Sequence, residues 1–241
     1  MMKNLRIYLV IILVISPDIL IAQTQNSLGK FSIGITFEPN YGYRTLNFSS
    51  GNKLIAEKRN ANEVFRFGYA LGMELKSKIS KNILLSYGLQ YLEFGYNSRF
   101  QTLKFANANP EFPVGSKTDF FHQVVGIPLS VQYHFTKSRF NPYIIIGVQL
   151  DCILQKTAVT VLEYEDGRTN SSEHRSTLDF QRFPVSALLG AGMEYRISDR
   201  ISMVAEPLLK RSITSLIADR TAKEKPYSVG LAVKIVYKFK R

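Results

Sequence analysis

The 241-residue sequence predicts an all-β protein, an eight-stranded antiparallel up-and-down transmembrane β-barrel. Three observations carry that prediction. Eight segments alternate apolar and polar residues with period 2, as strands with one apolar face do. The connections between them alternate between short and long. Glycines gather on the polar set, where a narrow interior crowded by side chains favours small residues.

The first strand sets Phe31, Ile33, Ile35 and Phe37 against Ser32, Gly34, Thr36 and Glu38. The second runs along Phe65, Phe67, Tyr69, Leu71, Met73 and Leu75, the third along Ile83, Leu85, Tyr87, Leu89 and Tyr91. The fourth uses Val125, Ile127, Leu129, Val131, Tyr133 and Phe135. In the fifth, Ile144, Ile146, Val148 and Leu150 oppose Gly147, Gln149 and Asp151, with Ile145 blurring the pattern. The sixth runs along Val185, Ala187, Leu189, Ala191, Met193 and Tyr195. The seventh carries Ile201, Met203, Ala205 and Leu209, weakened by Pro207, which cannot donate to a ladder. The eighth alternates Tyr227, Val229, Leu231, Val233, Ile235, Tyr237 and Phe239 with Ser228, Gly230, Ala232, Lys234 and Lys238.

Short turns are expected at 77–82, 136–141 and 197–200, and long polar loops at 47–62, 97–118, 156–178 and 211–225. A barrel with short periplasmic turns and long outer loops has this arrangement, with both termini in the periplasm. The alternative is a soluble barrel with its apolar set inside. It is disfavoured because Gly34, Gly68, Gly72, Gly88, Gly126, Gly147, Gly190, Gly192 and Gly230 all fall on the polar set, where a solvent face favours Thr, Lys and Glu. Aromatic residues also gather at the strand ends as membrane girdles do. Tyr133, Phe135, Tyr143, Tyr195, Tyr237 and Phe239 lie near the short turns, and Tyr41, Tyr43, Phe65, Phe94, Tyr96, Phe120, Phe121, Phe180 and Phe183 near the long loops.

The first residues read as a secretory signal peptide over 1–22. Lys3 and Arg6 precede the apolar run 7–15, and Ala22 offers a small residue for cleavage before Gln23. The barrel domain is then 23–241. The chain carries 31 Lys and Arg against 19 Asp and Glu, a net +12 with a pI near 9.7. Cleavage leaves a net +11, and export removes chromosomal DNA from the partners that so basic a protein suggests. Cys152 is the single cysteine, so no internal disulfide forms.

The chemistry-bearing residues are sparse. His122, His134 and His174 are scattered, with no second histidine at metal-ligand spacing. No hydroxyl and acid group with His122, which points inward by parity. No catalytic residue, metal or cofactor is expected. The informative cluster is ionic: Glu38, Lys234 and Glu206 share the inward parity at similar depth, predicting a buried Glu38–Lys234–Glu206 network that plugs the lumen. Cations crowd the short-turn end, among them Lys76, Lys78, Lys81, Lys137, Arg139, Arg196, Arg200, Lys238, Lys240 and Arg241. A second group, Lys210, Arg211, Arg220, Lys223 and Lys225, flanks the last long loop. Both suit lipid or lipopolysaccharide phosphate. The third long loop is acidic, with Glu163, Glu165, Asp166 and Glu173.

The stretches NPYIIIGVQL, VVGIPLSVQYHF, LLGAGMEYRIS and the terminal SVGLAVKIVYKFK resemble the PorT-like outer-membrane β-barrel family of Bacteroidota, a family with the outer membrane protein beta-barrel domain. Lys240 and Arg241, after the last aromatic, depart from the usual C-terminal assembly signal of such barrels. The resemblance spans nearly all of 23–241 and implies an eight-stranded outer-membrane barrel, not one activity. The expected role is structural, assembly or interaction, made through long extracellular loops and a basic periplasmic rim. Expected partners are outer-membrane lipids, lipopolysaccharide, the barrel-assembly machinery and an envelope protein, not nucleic acid. The alternatives are a narrow channel or transport protein and a lipid-modifying enzyme.

Overall fold

The computed structural model describes residues 31–48, 53–106, 111–136, 138–176, 183–216 and 222–239. The signal peptide expected over 1–22 lies outside them, as do Phe180, Lys137, Arg220, Lys240 and Arg241. Among the described residues ten strands are formed: β1 (Phe31–Phe48), β2 (Glu63–Lys78), β3 (Ile83–Ser98), β4 (Gln101–Thr102), β5 (Gly115–His134), β6 (Phe140–Glu163), β7 (Thr169–Ser176), β8 (Val185–Arg196), β9 (Ile201–Ser212) and β10 (Ala222–Lys238). A helix, α1 (Lys53–Asn62), stands in the first long connection.

Eight of these strands close a ring in the order β1-β2-β3-β5-β6-β8-β9-β10, each antiparallel to its neighbours. Closure matters physically, because it leaves no unpaired backbone edge in the apolar zone. No described helix is long and apolar enough to cross a membrane, so the crossing elements are strands.

The alternation places the apolar set outside. Ile35, Phe37, Met73, Leu89, Ile146, Leu189, Leu209 and Ile235 are all exposed, and the polar partners between them are buried. A continuous exposed apolar belt of this kind excludes the soluble barrel. The belt has the right height. On β10 the aromatic Tyr237 and Tyr227 are ten residues apart, about 33 Å along the strand, and a tilt of ~40° turns this into about 25 Å, the apolar band of such barrels.

The long connections hold more regular structure than their polarity suggests. The 156–178 region, expected as a loop, continues β6 to Glu163 and returns as β7, paired from Lys156↔Ser176 to Glu163↔Thr169. Its turn is set by Asp166 and Gly167. Gly167 takes φ 81°, where a Cβ is strained, and the Asp166 carboxylate accepts the Arg168 backbone N–H at 3.1 Å. That bond holds the Asp166 carboxyl below the usual carboxylate range. Pro207, for its part, does not end β9. It faces outward opposite Leu231, and the β8–β9 register skips from Gly190↔Leu208 to Met193↔Ala205 around it.

Tyr143, Phe94 and Tyr96, assigned to the girdles, are buried in the lumen instead, and half-buried Phe120 stacks on Tyr96 from the same inward parity. The reason is parity: outward Leu89 and Tyr91 put Leu92, Phe94 and Tyr96 successively inside, and outward Ile144 does the same to Tyr143 and Ile145. The aromatic character of a strand end marks a girdle only on the outward parity.

Candidate functional site: a filled lumen

The interior is built in layers along the barrel axis. Small inward residues create the space for it. Gly88 sits opposite Glu74 in the β2–β3 ladder, and a Cβ on it would lie 2.2 Å from the Met73 carbonyl oxygen. Gly230 does the same for Glu38, whose Oε1 would lie 2.8 Å from an added Cβ.

The middle layer is ionic. Lys234 on β10 lies between two carboxylates, Nζ to Glu206 Oε2 at 2.5 Å and to Glu74 Oε2 at 2.7 Å. Lys76 approaches the other oxygen of Glu74 at 3.0 Å. Glu38 is paired not with Lys234 but with Lys210, at 2.8 Å. Tyr143 donates its hydroxyl to Glu206. Glu206 is fully buried and Glu38 is 1 % exposed.

The expected Glu38–Lys234–Glu206 trio is therefore divided. Lys234 and Glu206 meet, and Glu38 belongs to a separate pair. Counting residues up from each turn puts Glu38 and Lys234 at one level, but barrel strands are staggered by shear. Thr36, not Glu38, stands opposite Lys234 in the β1–β10 register. Glu74, Lys76 and Lys210 share the inward parity and complete the layer, though parity alone does not give their height. Three Glu (38, 74, 206) face three Lys (76, 210, 234), so the layer is charge-balanced. Between them lies a cavity of about 40 Å³, bordered also by Gln90, Gln149 and Ser130. That is the scale of about three water molecules.

Tyr143→Phe keeps the ring and removes the donor to Glu206. A hydrogen bond to a charged group is worth ~1.5–3 kcal/mol, and Lys234 still holds Glu206, so a loss near the lower end is expected. The midpoint of urea unfolding in detergent micelles measures it, and an unchanged midpoint contradicts the bond.

Toward the long loops the lumen becomes apolar. Ala70, Leu92, Phe94, Val124 and Ile153 pack with Leu216, which enters from the segment after β9. Above this layer Arg44 stacks 4.2 Å over the Tyr96 ring and pairs with Glu63 at 2.5 Å and Glu224 at 3.6 Å. Lys156 and His122 approach the same Glu224, at 3.5 Å and 3.9 Å. An acid thus does gather near His122, contrary to the expectation from the sequence, because the stagger brings β10 across to β5. The histidine is buried and faces inward, away from the lipid side. Arg44 and Glu224 lie on the inward parities of β1 and β10, and the ring closure brings them together. Among the described residues no group of three His, Cys, Asp or Glu side chains is arranged to hold a metal ion.

The family model for the outer membrane protein beta-barrel domain matches residues 21–217. The chain belongs to that family. No curated protein sequence matches it significantly. Among solved structures, neisserial surface protein A is similar, with 15% identity over 87% of this chain and 97% of that one, at a TM-score of 0.43. The outer membrane protein OprG from Pseudomonas aeruginosa is 14% identical over 89% of this chain and 98% of its own, TM-score 0.38. The outer membrane protease OmpT from Escherichia coli is 9% identical, covering 90% of this chain and 99% of its own, TM-score 0.38. An outer-membrane location follows from the family. The family's barrels span the membrane by strands, as the apolar belt of this chain requires.

Proposed function

We propose that this protein is a closed outer-membrane barrel with a structural, assembly or interaction role rather than a pore or an enzyme. In this reading residues 1–22 are the signal peptide and 23–241 the barrel domain. The PorT-like resemblance of its strand sequences belongs to the same proposal. Both termini and the short turns face the periplasm, with the long loops outside. Contacts are made by those loops and by the basic short-turn rim, to outer-membrane lipids, lipopolysaccharide, the assembly machinery during insertion, and an envelope protein partner.

One observation carries the closed reading: Lys234 is locked between Glu206 and Glu74 at 2.5 and 2.7 Å, across the middle of the lumen. A charge-balanced layer backed by an apolar layer offers a passing ion neither a hydrated path nor a net field. Planar-bilayer recordings of the refolded protein are expected to show no stable conductance steps. Stable large steps from the unmodified protein overturn the closed reading and favour the channel.

A further inference from the structure

The outward face of β9 and β10 at the long-loop end holds three cations, Arg211, Lys223 and Lys225, that no acid among the described residues neutralises. Arg211 stands opposite Tyr227 in the β9–β10 register. Lys225 and Lys223 follow on the same outward parity of β10, paired with Thr45 and Asn47 of β1. Arg211 and Lys225 are diagonal neighbours, an offset that separates Cβ atoms by ~7–8 Å and lets two long side chains converge on one group. Arg211 and Lys223 are exposed and Lys225 half-exposed.

Level with Arg211 and one step below Lys225, the Tyr43, Phe65 and Tyr227 rings cluster, with centroids 5.0–6.0 Å apart. This cluster is the upper edge of the ~25 Å apolar band, so the cations sit at headgroup height. Below the rings run the exposed Leu209, Val229 and Leu231.

Among the described residues the neighbouring acids are turned away. Glu224 lies between Lys223 and Lys225 in sequence but points inside, where Arg44 and Lys156 approach it. Glu63 is likewise taken by Arg44. Among the described residues no ion pair reaches Arg211, Lys223 or Lys225. On another sector of the wall Arg66 is neutralised by Glu93 at 3.0 Å. The cationic excess is therefore local to β9–β10.

We infer that this face binds a phosphorylated lipid of the leaflet at the long-loop end. Arg211 and Lys225 hold the phosphate, Lys223 adds charge, and the acyl chain lies along Leu209, Val229 and Leu231. Arginine's planar fork matches phosphate oxygens bidentately. The aliphatic track under the cations selects an amphipathic ligand over a free anion. The inference rests on the outer-membrane reading and is independent of whether the lumen conducts.

The test uses the full-length protein in detergent micelles, with bis-phosphorylated lipid A as the probe and native mass spectrometry as the readout. Folding of each variant is verified by its heat-modifiable gel mobility. The R211Q/K225Q variant is expected to bind the probe about tenfold or more weakly than the unmodified protein. An R66Q variant, altered at the wall cation that Glu93 already neutralises, is expected to bind normally. Dephosphorylated lipid A should bind the unmodified protein as poorly as the phosphorylated form binds R211Q/K225Q. Equal retention by R211Q/K225Q overturns the site, and so does retention that ignores the phosphate. Displacement by millimolar inorganic phosphate assigns the cations to a free anion and overturns the lipid reading. Stable conductance with phosphate-dependent lipid binding intact sinks the closed-lumen proposal alone.

Discussion

Lys234→Met is expected to destabilise the barrel by about 3–5 kcal/mol, the cost of removing one partner from a buried ion pair. The size of the effect comes from what is left behind. Methionine fills the space but leaves Glu206 fully buried with only the Tyr143 hydroxyl, and Glu74 with only Lys76. The second variant separates charge from packing. K234M/E206Q removes both members of the closer pair, and Glu74 retains Lys76 at 3.0 Å, so most of the lost stability should return. Urea titrations of folded and unfolded gel bands in micelles give both numbers. A double variant as unstable as the single one attributes the loss to shape and removes the ionic argument.

Gly88→Val acts on the same layer from the wall. Gly88 pairs with Glu74 across β2 and β3, and any Cβ there would come within 2.2 Å of the Met73 carbonyl oxygen and 3.0 Å of the Glu74 Cα. Those are backbone atoms, so relief requires the two strands to separate or shift. Overpacking costs ~1–3 kcal/mol, and displacing Glu74 from Lys234 adds to it. A sharp fall in the heat-modifiable folded fraction after refolding is expected. Gly88→Val refolding like the unmodified protein contradicts so close an approach of β3 to Glu74.

How far the sequence reached is visible in particular residues. Outward residues such as Ile35, Met73 and Ile235 were readable because period 2 is local: a residue's face follows from its neighbours. The same rule, applied to the end, already places Phe94, Tyr96 and Tyr143 inside. Reading them as girdle residues let aromatic composition override parity. The hairpin over 156–176 was hidden for another reason. Its return strand, Thr169–Ser176, is polar on both faces, and the apolar Ala158, Val159, Val161 and Leu162 of the outgoing strand do not alternate with period 2.

The site divides along the same line. Glu38, Lys234 and Glu206 were identifiable as inward charges, because a charge on the lumen parity needs a partner. Which of them meet was not identifiable. Lys234 reaches Glu74 on β2, and Lys210 reaches Glu38 across β10, over small residues such as Gly34 and Gly230. The Arg44–Glu63–Glu224 group at the mouth has no local signature, since its members lie far apart along the chain.

The sequence by itself thus determined the class of fold, the strand count of the ring and the outward apolar face of its strands. All of these depend on spacings of a few residues. The tertiary structure alone decided the ion pairs, the division of the lumen into ionic and apolar layers, and the placing of Arg211 and Lys225 with no acid of the described residues beside them. Closing a tilted, staggered sheet sets relative heights across strands, and no local pattern encodes that stagger.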